Sequence, residues 1–484
     1  MAEVIRRQSW RRACLASTMA VAALTVSTGS VFAQGSKADV LVDTLGAVPD
    51  GKTDCRAAIQ QAFQQVKQQG GGIVRFSAGG VYLASDTVGS ADATDRMENV
   101  TVNGNGATLV SALQRQPRPA LRLIGSNLRV RDLTVDFTTD IDLRKDVNVQ
   151  GGDAIYIGGT AARPEQNVRV ENCDIKQAWF AGVRPIWVSK VVISNCTFRE
   201  CLATSIFAGD VREDLKIQGN TIIDTKDDGI YVNCGPRATA TRGVIITGNS
   251  VRGSSAKGIG VGGVHDAIIS DNTVENTWAP GIVCEATGYS PDKVRNIRIS
   301  GNLLRNTGRN YGEGKYHAAI NPVAAGIYMA SGDPTDFANI QVDGNQVFGS
   351  AGNGIVVAQT AQAQITGNTI TGCDGMGMIV GLERGSGPQV SNFVVARNLV
   401  YDTKLSGVYV VGASHGVVSS NVVRAYGGAG GAIDRGIFIY RCDTVMADGN
   451  LVDNDRGAEE TVKVVSSTGC SVVNTLDLVA GSAR

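Results

Sequence analysis

The sequence predicts an all-β right-handed parallel β-helix, a solenoid closed at its N-terminal end by a capping α-helix. Three observations predict it. A β-rich phrase containing asparagine recurs, from VRVENCDI at Asn172 through LKIQGNTI at Asn220 and IRISGNLL at Asn302 to VMADGNLV at Asn450. Between its copies stands a glycine-led phrase of alternating apolar residues, such as GIYV at Gly229, GIYM at Gly326 and GVYV at Gly407. Glycines are many (60) and prolines few (11), a balance that suits short strands joined by tight turns.

Residues 1–33 read as an export signal: Arg6, Arg7, Arg11 and Arg12 precede an apolar run from Ala13 to Val26 and a small-residue site at Val31-Phe32-Ala33. Twin-arginine and general secretory export both stay open. The expected location is secreted or periplasmic, with no membrane span after signal cleavage, because no other apolar stretch is long enough. Residues 34–99 form a capping segment in which 54–69 place Ile59, Ala62, Phe63 and Val66 on one helical face, with Asp54 as N-cap. Residues 100–484 form the β-helix domain, undivided by any Pro-rich or Ser-rich linker.

Within that domain the asparagines are Asn172, Asn195, Asn220, Asn249, Asn272, Asn302, Asn345, Asn368, Asn398, Asn421 and Asn450. Their spacings are 23, 25, 29, 23, 30, 43, 23, 30, 23 and 29, so a coil of about 23 residues takes insertions in some copies. Period-two alternation makes the phrases strands with one residue in and the next out. The asparagine column is structural, since an asparagine at a tight turn bonds its neighbours above and below.

Acidic and basic residues balance at 45 each, which argues against a nucleic-acid or membrane-surface binder while allowing a local charged groove. Of ten cysteines Cys14 leaves with the signal, and the odd nine that remain argue against a full disulfide framework. Cys173 and Cys196 share a register on neighbouring coils, as a disulfide or as a column of thiols. Three histidines without a close pair make a zinc site unexpected, and the glycine spacing at Gly258, Gly260, Gly262 and Gly263 opens no helix as a dinucleotide motif would.

The segment GAVPDGKTDCRAAIQQAF followed by GGGIVRFSAGGVYLAS, over residues 41 to 85, resembles the opening of the pectate lyase superfamily, which includes polygalacturonases. The resemblance implies the solenoid fold and leaves the reaction open among lyases, hydrolases, epimerases and phage spikes. Asp227-Asp228 matches the polygalacturonase paired-aspartate motif. The flanking motifs depart from it. The family's Asn-Thr-Asp falls on Ala203-Thr204-Ser205, its Gly-His-Gly on Ala256-Lys257-Gly258 and its Arg-Ile-Lys on Val283-Cys284-Glu285. A hydrolase needs an acid and a base on opposite sides of the bond, so these losses put the inherited hydrolysis in doubt.

Insertions in a solenoid map to loops and often to the binding face. Extra residues follow the glycine-led strand at 233–243, 285–293, 330–338 and 381–389, and precede it at 306–325, so loops on both edges wall that strand's outer face. The register points Arg184, Phe207, Tyr231, Val283 and Tyr328 outward, with Asn233 and Glu285 one step beyond. Arg184, Tyr231, Asn233, Glu285 and Tyr328 are therefore candidate substrate-binding residues, joined by Lys315, Tyr316 and His317 of the long loop. Just before the leading glycine stand Asp153, Ala181, Thr204, Asp228, Lys257 and Pro280. Asp227, Asp228 and Lys257 are the candidate catalytic residues: the two aspartates would hold calcium, and Lys257, with its pKa depressed, would act as base. The competing reading makes Asp-Gly a turn pair and Lys257 a salt-bridge partner of Asp228.

The leading functional expectation is a polysaccharide lyase that cleaves a uronate-containing glycan by β-elimination. A glycoside hydrolase or uronate epimerase using the same groove comes second, and a non-catalytic glycan-binding surface or matrix protein is the alternative of a different class.

Overall fold

The computed structural model describes residues 38–113, 116–137, 152–234, 239–286, 294–309, 324–331, 337–382, 390–427, 434–454 and 461–479. The expected signal and most of the expected insertions at 285–293, 306–325, 330–338 and 381–389 lie outside these residues, as do Lys315, Tyr316 and His317, whereas only residues 235–238 of the insertion at 233–243 do.

Among the described residues the strands form two parallel sheets. The glycine-led strands build a sheet of 14, and the strands on either side of the asparagine build one of 30. Val188–Ser194, Thr197–Arg199 and Ile206–Gly209 make one coil, and Glu213–Gln218, Thr221–Ile223 and Ile230–Asn233 make the next. The two stack in register, with Val191 beside Leu215, Phe198 beside Ile222 and Ile206 beside Ile230. Alternate side chains fill the interior, where Ile217, Ile246, Ile269, Ile299 and Val342 form one fully buried column.

A hydrogen-bonded ladder of asparagine side chains runs from Asn220 to Asn450. The Oδ1 of Asn249 accepts the backbone N–H of Asn220 at 3.0 Å and its Nδ2 at 2.9 Å, while the same Nδ2 also donates to Ile193 O at 3.0 Å. Each later coil repeats the pattern, so every buried amide of the column is satisfied. Asn172 and Asn195 do not belong to this column. Thr197 pairs with Thr221, which sets Cys196 opposite Asn220 and moves Asn195 one place earlier, onto a left-handed turn position with φ of 54°. Cys173 and Cys196 take the ladder sites instead. Asn220 Oδ1 accepts the Cys196 N–H at 2.9 Å, and Cys196 Sγ accepts the Cys173 N–H at 3.4 Å. The two sulfurs are free thiols rather than a disulfide, as are the other described cysteines.

Helix α1 spans Arg56–Gln68, slightly inside the expected bounds, and its N-cap is Cys55 rather than Asp54. Asp54 instead accepts the Arg56 N–H at 3.0 Å and the Ser85 hydroxyl at 2.6 Å, tying the helix start to the chain beyond the strand Val81–Ala84. Ile59, Ala62, Phe63 and Val66 are fully buried and join the same apolar core as the coil interior. The helix lies against the strands Asp39–Leu41, Gly72–Arg75 and Val88–Gly89. Among the described residues no helix is long and apolar enough to cross a membrane.

Candidate functional site

The glycine-led strands carry an outward column that runs Tyr156, Arg184, Phe207, Tyr231, Gly260, Val283, Tyr328. Asn233, Gly262 and Glu285 form a parallel column two residues on. The carbonyl ladder at the strand starts aligns Ala181, Thr204, Asp228, Lys257 and Pro280, the row expected from the sequence. Five of the expected residues meet here: Asp227, Asp228, Tyr231, Lys257 and Glu285.

Lys257 is the centre of the group. Its Nζ donates to Glu285 Oε1 at 2.8 Å and sits 4.7 Å from the centroid of the Tyr231 ring, within cation–π range. The Tyr231 hydroxyl donates to the same Glu285 oxygen at 3.0 Å. Asp228 Oδ1 accepts the Lys257 backbone N–H at 2.9 Å, and Thr204 donates its hydroxyl to Asp227 Oδ2 at 3.3 Å. The salt-bridge reading paired Lys257 with Asp228; the partner in contact is Glu285, one coil further along.

Burial and the neighbouring charges together set the protonation states. It pushes the Asp228 carboxyl up to about 7, helped by the Asp227 and Glu285 charges and opposed by Lys257. For Lys257 burial lowers the pKa, but Asp228 and Glu285 outweigh it and hold the group above its ordinary value. That corrects the expected depressed lysine base: Lys257 is a buried ammonium. Burial, then the Glu285 charge, raises the Tyr231 phenol well above its usual range, so it stays protonated.

This arrangement depends on a missing side chain. A Cβ on Gly260 would come within 2.8 Å of the Tyr231 ring and 3.1 Å of Lys257 Cδ. The glycine spacing that resembles a nucleotide motif thus clears the bed on which the lysine stem crosses the sheet. Gly260→Val is expected to displace Lys257 and Tyr231 and to lower activity at least tenfold with little change in melting temperature, a split that kinetics and thermal unfolding would read together.

Arg184 lies apart from this group, two strands before Tyr231. It is caged by Tyr156, Phe180 and Phe207, with ring centroids 5.1–5.8 Å from its guanidinium carbon. Phe207 stacks on Tyr231 at 5.9 Å, linking the cage to the lysine group. Asp153, 3.7 Å from Arg184, is pushed by burial to about 7 despite the arginine. A carboxyl whose folded pKa exceeds its unfolded value stabilises fully below about 4 and loses that contribution as pH rises through about 7. Asp153→Asn is therefore expected to raise the melting temperature at pH 8 and leave it nearly unchanged at pH 4. Phe180 was not singled out from the sequence because it comes from a turn outside the strand register.

Tyr328 stands on the other side of Gly260, two strands away. The calcium expectation meets a poor donor set. Asp228 Oδ1 is taken by an amide, and no three His, Cys, Asp or Glu side chains gather as a metal cluster among the described residues.

Stacked parallel coils with a charged cluster on one outer face define a right-handed parallel β-helix protein. The family model described as the right handed beta helix region matches residues 79–243 and 187–370, and the chain belongs to that family. No curated protein matches it in sequence. Among solved structures it resembles the Agl-KA catalytic domain at 15% identity, covering 90% of this chain and 68% of that one, with a TM-score of 0.55. A mutant tailspike protein of E. coli bacteriophage HK620, in complex with hexasaccharide, is similar at 12% identity over 90% of this chain and 80% of that one, with a TM-score of 0.55. The A-module of Azotobacter vinelandii mannuronan C-5 epimerase AlgE6 is 15% identical over 92% of this chain and all of that one, with a TM-score of 0.47.

Proposed function

We propose that this chain is an exported carbohydrate-active enzyme that cleaves a uronate-containing polysaccharide by β-elimination on the outer face of the glycine-led strands. The observation that carries the reading is the grouping of Asp228, Lys257 and Tyr231 around Glu285, in which Lys257 Nζ and the Tyr231 hydroxyl donate to one Glu285 oxygen and Asp228 accepts the Lys257 N–H, with burial pushing the Asp228 carboxyl up to about 7. The aromatic strip Phe207–Tyr231 suits sugar faces, and the buried Asn233 Oδ1, which has no hydrogen-bond partner, suits a sugar hydroxyl. That a tailspike of the same fold holds a hexasaccharide agrees with a glycan as ligand.

Each group then has a role. Asp228, partly ionised near pH 7, takes the proton beside the uronate carboxylate. Lys257 turns its ammonium toward that carboxylate and spreads the charge that gathers there, with Glu285 as counterion. The electron pair forms a carbon–carbon double bond as the glycosidic C–O bond breaks, and the leaving oxygen takes the Tyr231 proton. Asp228 returns its proton to the tyrosinate, which closes the cycle. Asp227 and Thr204 hold the start of the Asp228 strand, and no step uses a metal.

The test is incubation of the purified protein with a panel of uronate polymers, with and without chelator. Ultraviolet absorbance of an unsaturated product that persists with chelator is expected. New reducing ends without that absorbance would replace elimination by hydrolysis, and no change in any polymer would overturn the catalytic reading.

A further inference from the structure

Beside the charged cluster, on the turn that leads into the glycine-led strands, lies a polar hollow of about 470 Å³. Four successive coils make it. The Ser255 N–H donates to Thr225 O and the Trp278 N–H to Ser254 O, both at 3.0 Å, so Lys226, Ser255 and Trp278 hold corresponding places one above another. Asp224, Gly253 and Asn276 form a second such column. The second coil supplies only Gly253 and Ser255, the long side chains of Lys226 and Trp278 stand on the coils either side, and Arg309, whose N–H donates to Thr277 O at 3.1 Å, follows Trp278 on the fourth. Two coil spacings, roughly 9.6 Å, therefore separate the Lys226 wall from the Trp278 wall. Gly253 has φ of 78°, and a Cβ there would meet Asp224 Oδ1 at 2.2 Å, so the floor cannot carry a larger residue without displacing the wall.

The lining has a definite chemistry. Trp278 is 38% exposed, unlike Trp179 at 2%, and so offers indole surface to a ligand. Lys226 and Arg309 bring two positive charges against the single carboxylate of Asp224, and among the described residues neither cation has an ion-pair partner. Arg309 is held in place by Nη1 donating to Asn276 Oδ1 at 3.2 Å. The volume falls within the roughly 300–1,000 Å³ of small-ligand sites. An aromatic wall with one cation across the hollow and a second beside it, over a polar floor, fits a sugar ring that carries an anion.

Position says how such a sugar arrives. Lys226 directly precedes Asp227-Asp228, and Ser255 and Trp278 lie two residues before Lys257 and Pro280. The hollow thus opens on the edge of the strand face rather than on it. We propose that it binds one anionic glycosyl branch, bearing carboxylate or sulfate, of a polymer whose backbone lies along the glycine-led strands. The inference rests on the reading above for the backbone alone.

Tryptophan emission tests it directly, titrated at low ionic strength with uronate, sulfated and neutral oligosaccharides. An Asp228→Asn background slows turnover at least about a hundredfold, so that binding is read before cleavage. Saturable quenching by an anionic series is expected, the stronger of the two identifying the anion. Trp278→Phe should remove the signal, Ser255→Phe should fill the hollow and abolish it, and Lys226→Ala with Arg309→Ala should weaken binding at least tenfold. Gly260→Val, which disturbs the strand face, should leave the quenching intact, and matching melting curves would establish that all variants fold. Equal binding of neutral sugars, quenching that survives Ser255→Phe, or no quenching at all would each overturn the branch site. The product assay is unaffected by that outcome, so the two proposals fail separately.

Discussion

Asp228→Asn is expected to lower turnover by at least about a hundredfold, the usual scale for losing an acid–base group, while the coil stack stays folded. The change keeps the shape of the side chain and its acceptor for the Lys257 N–H, and removes only the ionisation near pH 7. A group that must be ionised to take a proton makes kcat/KM rise with pH through about 7 in the wild type, and that rise should vanish in the variant's residual activity. Lys257→Ala should lose a similar factor, but for a mixed reason. It leaves the buried Asp228 and the half-buried Glu285 without their cation, and breaking a buried pair costs up to about 3–5 kcal/mol. Denaturant unfolding measured beside kinetics separates the two losses. Wild-type rates in both variants would remove the site.

The largest loss of stability is expected from Phe63→Asp. Phe63 is fully buried between α1 and the first coils, so the substitution removes a ring worth about 3–5 kcal/mol and adds a carboxylate with no partner in an apolar setting. The reading behind it is that α1 caps the stack, closing an end that would otherwise present open strand edges and an uncovered interior. Tyr231→Ala, on the outer face, should move the unfolding midpoint far less. Equal midpoints for the two variants would count against the capping role.

The coils were legible because period-two alternation and a repeat spacing are properties of the chain alone. The asparagine column was misread at its start for an instructive reason. ENC at Asn172 and SNC at Asn195 look like GN at Asn220, yet the asparagine of each of these two phrases occupies the place of Gly219. The step of 25 residues from Asn195 to Asn220, against 24 from Cys196, is the trace of that shift. Asp227, Asp228, Tyr231, Lys257 and Glu285 were individually visible because register assigns each to a coil. Their wiring was not. The reach of Lys257 to Glu285 depends on the emptiness above Gly260, and the protonation of both charges depends on burial that no residue spacing reports.

The asparagine ladder has a bearing on how such a fold can vary its loops. Between Asn249 and Asn272 the chain spends 23 residues and between Asn302 and Asn345 it spends 43, yet the side-chain bonds at the two steps are both 2.9 Å. The column behaves as a ruler whose graduations stay fixed while the length of text written between them varies. Turns that border the glycine-led strands are thereby released from any duty to hold the stack together. A turn can be lengthened, shortened or exchanged one coil at a time on a scaffold that does not have to be rebuilt.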